Sequence, residues 1–309
     1  VAEFAGIASA GELFGISKVI TVPVMAVVMG LLILRGNYKI IEKILIGLSL
    51  AALSYVATVF IIKPDWGVIL RDTIRPQLLL SRDYFISILA VIGTTITPWA
   101  IFYLQASVSD KGISMENYGE TKIDVTFGSA WGNVISAFII IVSAATLFKA
   151  GIRVEDAKDA AMALAPLAGE ASTILFAAGL LGASLLAVSV LPLSTTYALC
   201  EAFGFERGLN RNLRDAPIFY GAFIGIVVLS VLIVLIPGMP LFQMMILSQT
   251  INAILLPVIL ALVLKLANDQ AVMGRYRNSK LTNVLAIIIT SLIVLVTIVL
   301  LFEPLIRLL

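Results

Sequence analysis

Residues 93–112 read GTTITPWAIFYLQASVSDKG. The neighbouring segments are built from leucine and isoleucine, yet this one opens with a glycine, three threonines, a proline and a tryptophan. In an unbroken helix the amide of residue 98 would bond the carbonyl of residue 94, but Pro98 has no amide and its ring pushes that carbonyl aside. Thr94 is thereby left with a free carbonyl oxygen, and Thr97, three residues on and on the same helix face, adds a hydroxyl. An unsatisfied carbonyl costs several kcal/mol in hydrocarbon, so such a break survives only where it is buried in protein or lines a wet cavity. Two readings stay open. One is a proline kink whose threonines bond back to their own helix; the other is a binding site on a discontinuous helix, the usual arrangement of secondary transporters. Pro23 and Pro257 also fall within apolar stretches and Pro192 precedes LSTTYAL, but only residues 93–99 combine a glycine, three threonines and a proline, which favours the site.

The surroundings make this a membrane question. Of 309 residues, 60% are hydrophobic and 13% charged, and the mean hydropathy is +1.07, far from the balance of soluble domains. A spanning helix needs ~20 mostly apolar residues, and such stretches recur near 17–34, 40–62, 84–108, 125–148, 171–199, 217–236, 241–266 and 283–302. A ninth span, cut short, is expected at the start, because VAEFAGIASAGELFG opens inside an apolar pattern with no initiator Met and no signal-peptide n-region. The predicted fold class is therefore all-α integral membrane, one multi-pass domain over residues 1–309. No Ser/Gly linker or low-complexity tract interrupts it.

Lys and Arg orient the chain. If LRGNYKIIEK is cytoplasmic, alternation places 109–123, GFERGLNRNLRD and LANDQAVMGRYRNSK on the same side, with twelve basic residues there against nine elsewhere. The uncharged PGMP turn then falls outside and the first residue inside. Two connecting stretches, KPDWGVILRDTIRPQLLLSRDYF and GIRVEDAKDAAMALAPLAG, mix apolar and charged residues as amphipathic segments lying at the interface do. Neither is assigned a site.

A second polar cluster, LSQTINAILLP, sets Gln249 and Asn252 on one helix face at i, i+3. Such amides either glue helices together or offer a ligand oxygen to the broken helix. Acidic residues are scarce in the spans: Glu3 and Glu12 occupy the first segment and Glu201 a helix end. A dication held by neutral oxygens alone would be held weakly, since hard dications are normally bound by at least one carboxylate. Histidine is absent and Cys200 is the single cysteine, which removes the commonest transition-metal ligand and proton carrier and any intramolecular disulfide. No phosphate-binding loop, nucleophile elbow, paired catalytic carboxylates or basic-aromatic stripe occurs, so neither an enzyme, a resident cofactor nor a nucleic-acid partner is expected.

ILSQTINAILLPVILALVLKLANDQAVMGRYRN, with its Ser-Gln, Leu-Pro, Asn/Asp and Met-Gly-x-x-x-Asn elements in order, resembles the tenth helix and following loop of the NRAMP divalent-metal transporters. VEDAKDAAMALAPLAGEASTILFAAGLL is similar to the segment entering that family's eighth helix, and AEFAGIASAGELFGI to its third. The resemblance covers essentially the whole chain. It implies a LeuT-type fold with inverted repeats and a discontinuous sixth family helix, and it maps the chain from the third family helix to the eleventh, the first two being absent. The Asp-Pro-Gly-Asn motif of the family's first helix, which would supply the missing carboxylate, lies in the part not covered.

The sixth helix departs from the family frame. Members read Ala-x-x-Met-Pro-His there, whereas this chain reads TTITPW. Thr94 stands at the carbonyl-donating alanine, Thr97 at the thioether ligand and Trp99 at a proton-path histidine; a second family histidine falls on Leu104 or, with a one-residue shift, Gln105. Exchanging a soft thioether for a hydroxyl removes the preference for Mn²⁺ and Fe²⁺ over hard ions and suits Mg²⁺, which dehydrates reluctantly and keeps several waters. This pattern resembles the NRAMP-related magnesium transporter branch. It implies transport of Mg²⁺ and Mn²⁺ across a prokaryotic cell membrane by alternating access without proton coupling. The implied metal donors are Thr94, Thr97 and Gln249, with Pro98 as hinge, Trp99 and Leu104 at replaced proton-path positions, and Glu3 as a remnant of the third-helix acid. A proton-coupled Mn²⁺/Fe²⁺ importer of the same family, or a sodium-coupled organic-solute symporter of the same fold, are the alternatives.

Overall fold

The computed structural model describes residues 1–35, 47, 50–75, 81–110, 112–208 and 213–306. Among these every regular element is helical. We label α1 (Ala2–Leu13), α2 (Lys18–Arg35), α3 (Leu53–Ile62), α4 (Trp66–Ile74), α5 (Arg82–Thr95), α6 (Pro98–Asp110), α7 (Tyr118–Ser143), α8 (Ser172–Phe203), α9 (Pro217–Leu235), α10 (Leu241–Asn268) and α11 (Lys280–Ile306). Six stretches among the described residues are long and apolar enough to cross a membrane: Arg82–Ser109, Met115–Phe148, Ala157–Phe203, Pro217–Leu235, Leu241–Asn268 and Lys280–Leu300. They coincide with the expected spans at 84–108, 125–148, 171–199, 217–236, 241–266 and 283–302, and the protein is a multi-pass membrane protein.

Three expected spans remain, of which the one at the start forms the 12-residue helix α1. The stretch near 17–34 forms α2, an 18-residue helix that is apolar from Val19 to Leu34 apart from Thr21. The stretch near 40–62 lies partly outside the described residues, and its described end, Leu50–Ile62, turns through 118° into Trp66–Ile74. The turn has local causes. Lys63 ends α3 in the left-handed conformation (φ 43°), Pro64 cannot extend the helix, and the Asp65 carboxylate caps α4 by accepting from the amides of Gly67 and Val68 at 2.8 and 3.2 Å. α4 has no buried residue, consistent with an interfacial helix.

The other stretch expected at the interface is different. Residues 157–171 form short helical turns in which Ala157, Ala161, Ala163 and Leu164 are buried. One face of the alanine-rich run AAMALA is covered, while Met162, Ala165 and Pro166 stay exposed, so the small alanines allow close approach on one side only.

The chain folds as two compact units, Val1–Gln77 with Phe102–Met245, and Leu78–Ile101 with Ile246–Leu309. In the first, α1 is buried from Phe4 to Gly11. Its sequence AEFAGIASAGEL carries small residues on every face, which is how helices approach closely where lipid offers no hydrophobic drive. A Cβ at Gly6 would overlap the Ser184 hydroxyl of α8, and one at Gly11 would overlap Thr21 of α2. Gly6→Val is therefore expected to cost about 1–3 kcal/mol by overpacking, read as a lower unfolding midpoint in detergent. Gly30→Ala, at a position with open space around it, should leave the midpoint unchanged or slightly higher. Phe4, Ile7, Tyr197, Phe219 and Phe223 fill the rest of this core, with Tyr197 and Phe219 edge to face at 4.9 Å. Lys18 closes the end of α9 by donating to the carbonyls of Val234 and Ile236 at 3.0 and 3.1 Å, a favourable place for a cation.

In the second unit α5 packs on α11, with Leu89 and Ile293 buried. The end of α10 is tied to the start of α11 by an amide knot. Asn268 and Asn283 exchange side-chain hydrogen bonds at 2.9 and 2.6 Å, and the Asn278 side chain donates to Asn283 Oδ1 at 3.1 Å. Asn268 also donates to the Leu264 carbonyl at 2.8 Å. Asn283→Leu would strip partners from two amides at once, at an expected cost of about 1–3 kcal/mol, seen as faster proteolysis of the 266–280 connection.

Candidate functional site

The helix that carries Thr94 breaks where the sequence places the break. α5 ends at Thr95, Ile96 is extended (φ −117°, ψ 92°), and α6 restarts at Pro98. The last α5 bond runs from the Ile96 amide to the Ile92 carbonyl at 2.9 Å, and the Ala100 amide bonds the Thr97 carbonyl at 3.1 Å. Pro23, Pro192 and Pro257 stand inside helices that continue through them. The difference lies upstream of each proline. Pro192 and Pro257 follow leucine, and Pro23 stands in the second turn of its helix, whereas Pro98 follows Gly-Thr-Thr-Ile-Thr, five residues of low helix propensity.

The three threonines divide. Thr95 is exposed and donates back to the Val91 carbonyl at 2.7 Å, as an ordinary helix threonine does. The hydroxyls of Thr94, exposed, and Thr97, half-buried in the break, make no hydrogen bond among the described residues. The two residues read as donors are thus the two whose side chains the helix does not use. Pro98 is buried and Trp99 half-buried at the head of α6.

Gln249 lies half-buried on α10 in the same unit, and its Oε1 accepts from Asn252 Nδ2 at 3.1 Å. The pairing expected at i, i+3 is therefore made, and it fixes the direction of the amide oxygen. The sequence reading missed what joins the two helices. A Cβ at Gly93 would overlap the Gln249 carbonyl oxygen and stand 2.9 Å from the Ala253 amide nitrogen. Gly93 is buried, and its missing side chain is what lets α10 meet the broken helix one residue before Thr94. The signal was present as the glycine heading the threonine run.

Leu104, exposed on α6, and Glu3, half-buried on α1, belong to the first unit. Glu3 lines a cavity of about 160 Å³ with Val188, Leu191, Pro192, Thr195 and Ser230. Glu201 pairs with Arg207 at 3.0 Å. Among the described residues no group of three or more His, Cys, Asp or Glu is placed to hold a metal ion, and residues 84–109, which contain the break, include no Asp or Glu.

Comparison with known proteins adds independent information. The chain is 28% identical over 256 residues to the divalent metal cation transporter MntH of Clostridium acetobutylicum, covering 81% of this chain and 56% of that protein. It is 24% identical over 275 residues to MntH of Caldanaerobacter subterraneus subsp. tengcongensis, covering 87% and 62%, and 25% identical over 309 residues to MntH of Vibrio campbellii, covering 95% and 68%. It thus spans between about half and two thirds of the length of these relatives. The family described as natural resistance-associated macrophage protein-like matches residues 1–303. With the helical membrane architecture above, that match over nearly the whole length shows that the chain belongs to the Nramp family.

Proposed function

We propose that this protein is a divalent metal cation transporter that carries Mg²⁺, and Mn²⁺ as a second cargo, down its electrochemical gradient by alternating access and without moving protons. The observation that carries the reading is the break at Ile96–Thr97, beside which the Thr94 and Thr97 hydroxyls make no hydrogen bond among the described residues. Hard oxygens suit a hard cation, and the position that resemblance gives to a thioether holds the Thr97 hydroxyl, removing the donor that would favour softer metals. The Thr94 carbonyl, which Pro98 cannot satisfy, the Thr97 hydroxyl and the Gln249 amide oxygen would contact the ion directly or through its water. Pro98 keeps the helix in two parts that can tilt separately.

Side-chain chemistry supports the uncoupled reading. The chain has no histidine, and Trp99 and Leu104 do not titrate near neutrality. Glu3, on the cavity of the first unit, is then a remnant of the third-helix acid. The names of the relatives support divalent-cation transport, and nothing in this geometry calls for a covalent step.

The test is competition for uptake in proteoliposomes holding the full-length protein. Mg²⁺ in the external buffer is expected to slow Mn²⁺ entry in a saturable way and to enter itself. Mn²⁺ entry indifferent to excess Mg²⁺ would overturn the proposal.

A further inference from the structure

We propose that the first unit holds a capture site for a hydrated divalent cation, in the cavity where the end of α1, the start of α2, residues 155–158 and the turn before α10 meet. The proposal rests on the reading of the protein as a Mg²⁺ carrier and extends it to a second place on the chain. The cavity measures about 430 Å³ and its charged lining consists of Glu12, Lys18, Glu155, Asp156 and Lys158.

Two of these five groups are already committed. The Lys18 ammonium is held by the carbonyls of Val234 and Ile236, and the Asp156 carboxylate caps a helical turn by accepting from the amides of Lys158 and Asp159 at 2.8 and 2.9 Å. The carboxylates of Glu12 and Glu155 and the Lys158 ammonium make no hydrogen bond or ion pair among the described residues. Three carboxylates against two ammonium groups leave the lining with one net negative charge.

An independent feature is Ser9. It is only 6% exposed, it lines the cavity, and its hydroxyl has no hydrogen-bond partner among the described residues. A buried hydroxyl normally finds a partner, within its own helix if nowhere else. At Ser9 that partner is left to whatever fills the cavity.

Size and donor arrangement set the class of ligand. No three carboxylates are grouped closely enough to strip an ion and bind it directly, and the space far exceeds that of a bare cation. Six waters at ~30 Å³ each occupy about 180 Å³, so an Mg²⁺ ion with its whole inner hydration shell fits with room for a partial second layer. Carboxylates and a hydroxyl are suitable acceptors and donors toward such a shell, and Mg²⁺ is the dication that surrenders its water most reluctantly. The Lys/Arg bias assigns this end of the chain to the exterior, the side from which ions arrive.

The probe is cobalt(III) hexaammine, a substitution-inert complex of the size and shape of hydrated Mg²⁺, titrated calorimetrically into the full-length protein in lipid nanodiscs. One saturable site displaced by Mg²⁺ is expected. The double variant E12Q/E155Q should weaken it about tenfold or more, the scale of removing two charges beside a multivalent cation. S9A should weaken it roughly threefold with an unchanged unfolding midpoint, a loss that a packing role would not give. Wild-type affinity in E12Q/E155Q, or no saturable binding to folded wild-type protein, would overturn the proposal. Because the titration needs no transport, Mg²⁺ flux with binding insensitive to these residues sinks this site alone. Binding at the site without flux sinks only the transport reading.

Discussion

Thr97→Met is expected to lower Mg²⁺ uptake about tenfold, the scale of losing one hydroxyl contact of ~1.4 kcal/mol or slightly less, while Mn²⁺ uptake is kept or raised. The hydroxyl that makes no bond within the break is replaced by a polarizable sulfur, which Mg²⁺ binds poorly and softer ions accept. The side chain also lengthens toward a position where the cation would hold water. Uptake of the two ions into proteoliposomes, measured side by side, gives the ratio directly. Thr95→Val is the internal comparison. The Thr95 hydroxyl is spent on the Val91 carbonyl, so its loss should leave the Mg²⁺:Mn²⁺ ratio unchanged. If Thr95→Val shifts the ratio and Thr97→Met does not, the donor assignment within the threonine run is wrong.

Gly93→Val is expected to remove nearly all transport, by roughly 30- to 100-fold, because overpacking of a well-fitted contact costs about 2–3 kcal/mol. A Cβ at this position would meet the Gln249 carbonyl oxygen and the Ala253 amide. These are backbone atoms of α10, which cannot swing aside as the tip of a side chain can. The helix carrying Gln249 would have to move away from Thr94 and Thr97, disrupting the donor arrangement even if the protein still inserted and folded. Gly93→Ala should show the same effect at smaller size. Normal uptake in both variants, with normal amounts of folded protein, would contradict the close approach as a functional feature.

The parts of the fold that were legible in the sequence are those set by local chemistry. Long apolar runs mark α8 to α11 and the second half of α7, as a helix in hydrocarbon that satisfies its own backbone requires, and the break at Pro98 is visible because a weak helix-forming run precedes a residue without an amide. The sequence also separates Pro98 from Pro192 and Pro257, whose leucine-rich approaches hold the helix together. For the alanine-rich segment 157–171 the sequence gives no local sign of which side will be covered; burial of Ala161 and Leu164 depends on partners distant in the chain. The same limit hid Gly93 as the meeting point with α10 and hid the cavity that joins Ser9 and Glu12 to Glu155. Thr94, Thr97 and Gln249 can be named from spacing and from resemblance to a family, but that Thr95 bonds back to its helix while Thr94 and Thr97 find no partner among the described residues is decided by the three-dimensional fold.

The central claim is tested most directly by recording internal Mg²⁺ and internal pH together, with dyes sealed in the same proteoliposomes, while a Mg²⁺ gradient is imposed on the full-length protein at fixed membrane potential. The account predicts that Mg²⁺ enters and that internal pH stays level at every external pH tested. Acidification proportional to metal entry, or Mn²⁺ entry with no Mg²⁺ signal, would contradict it.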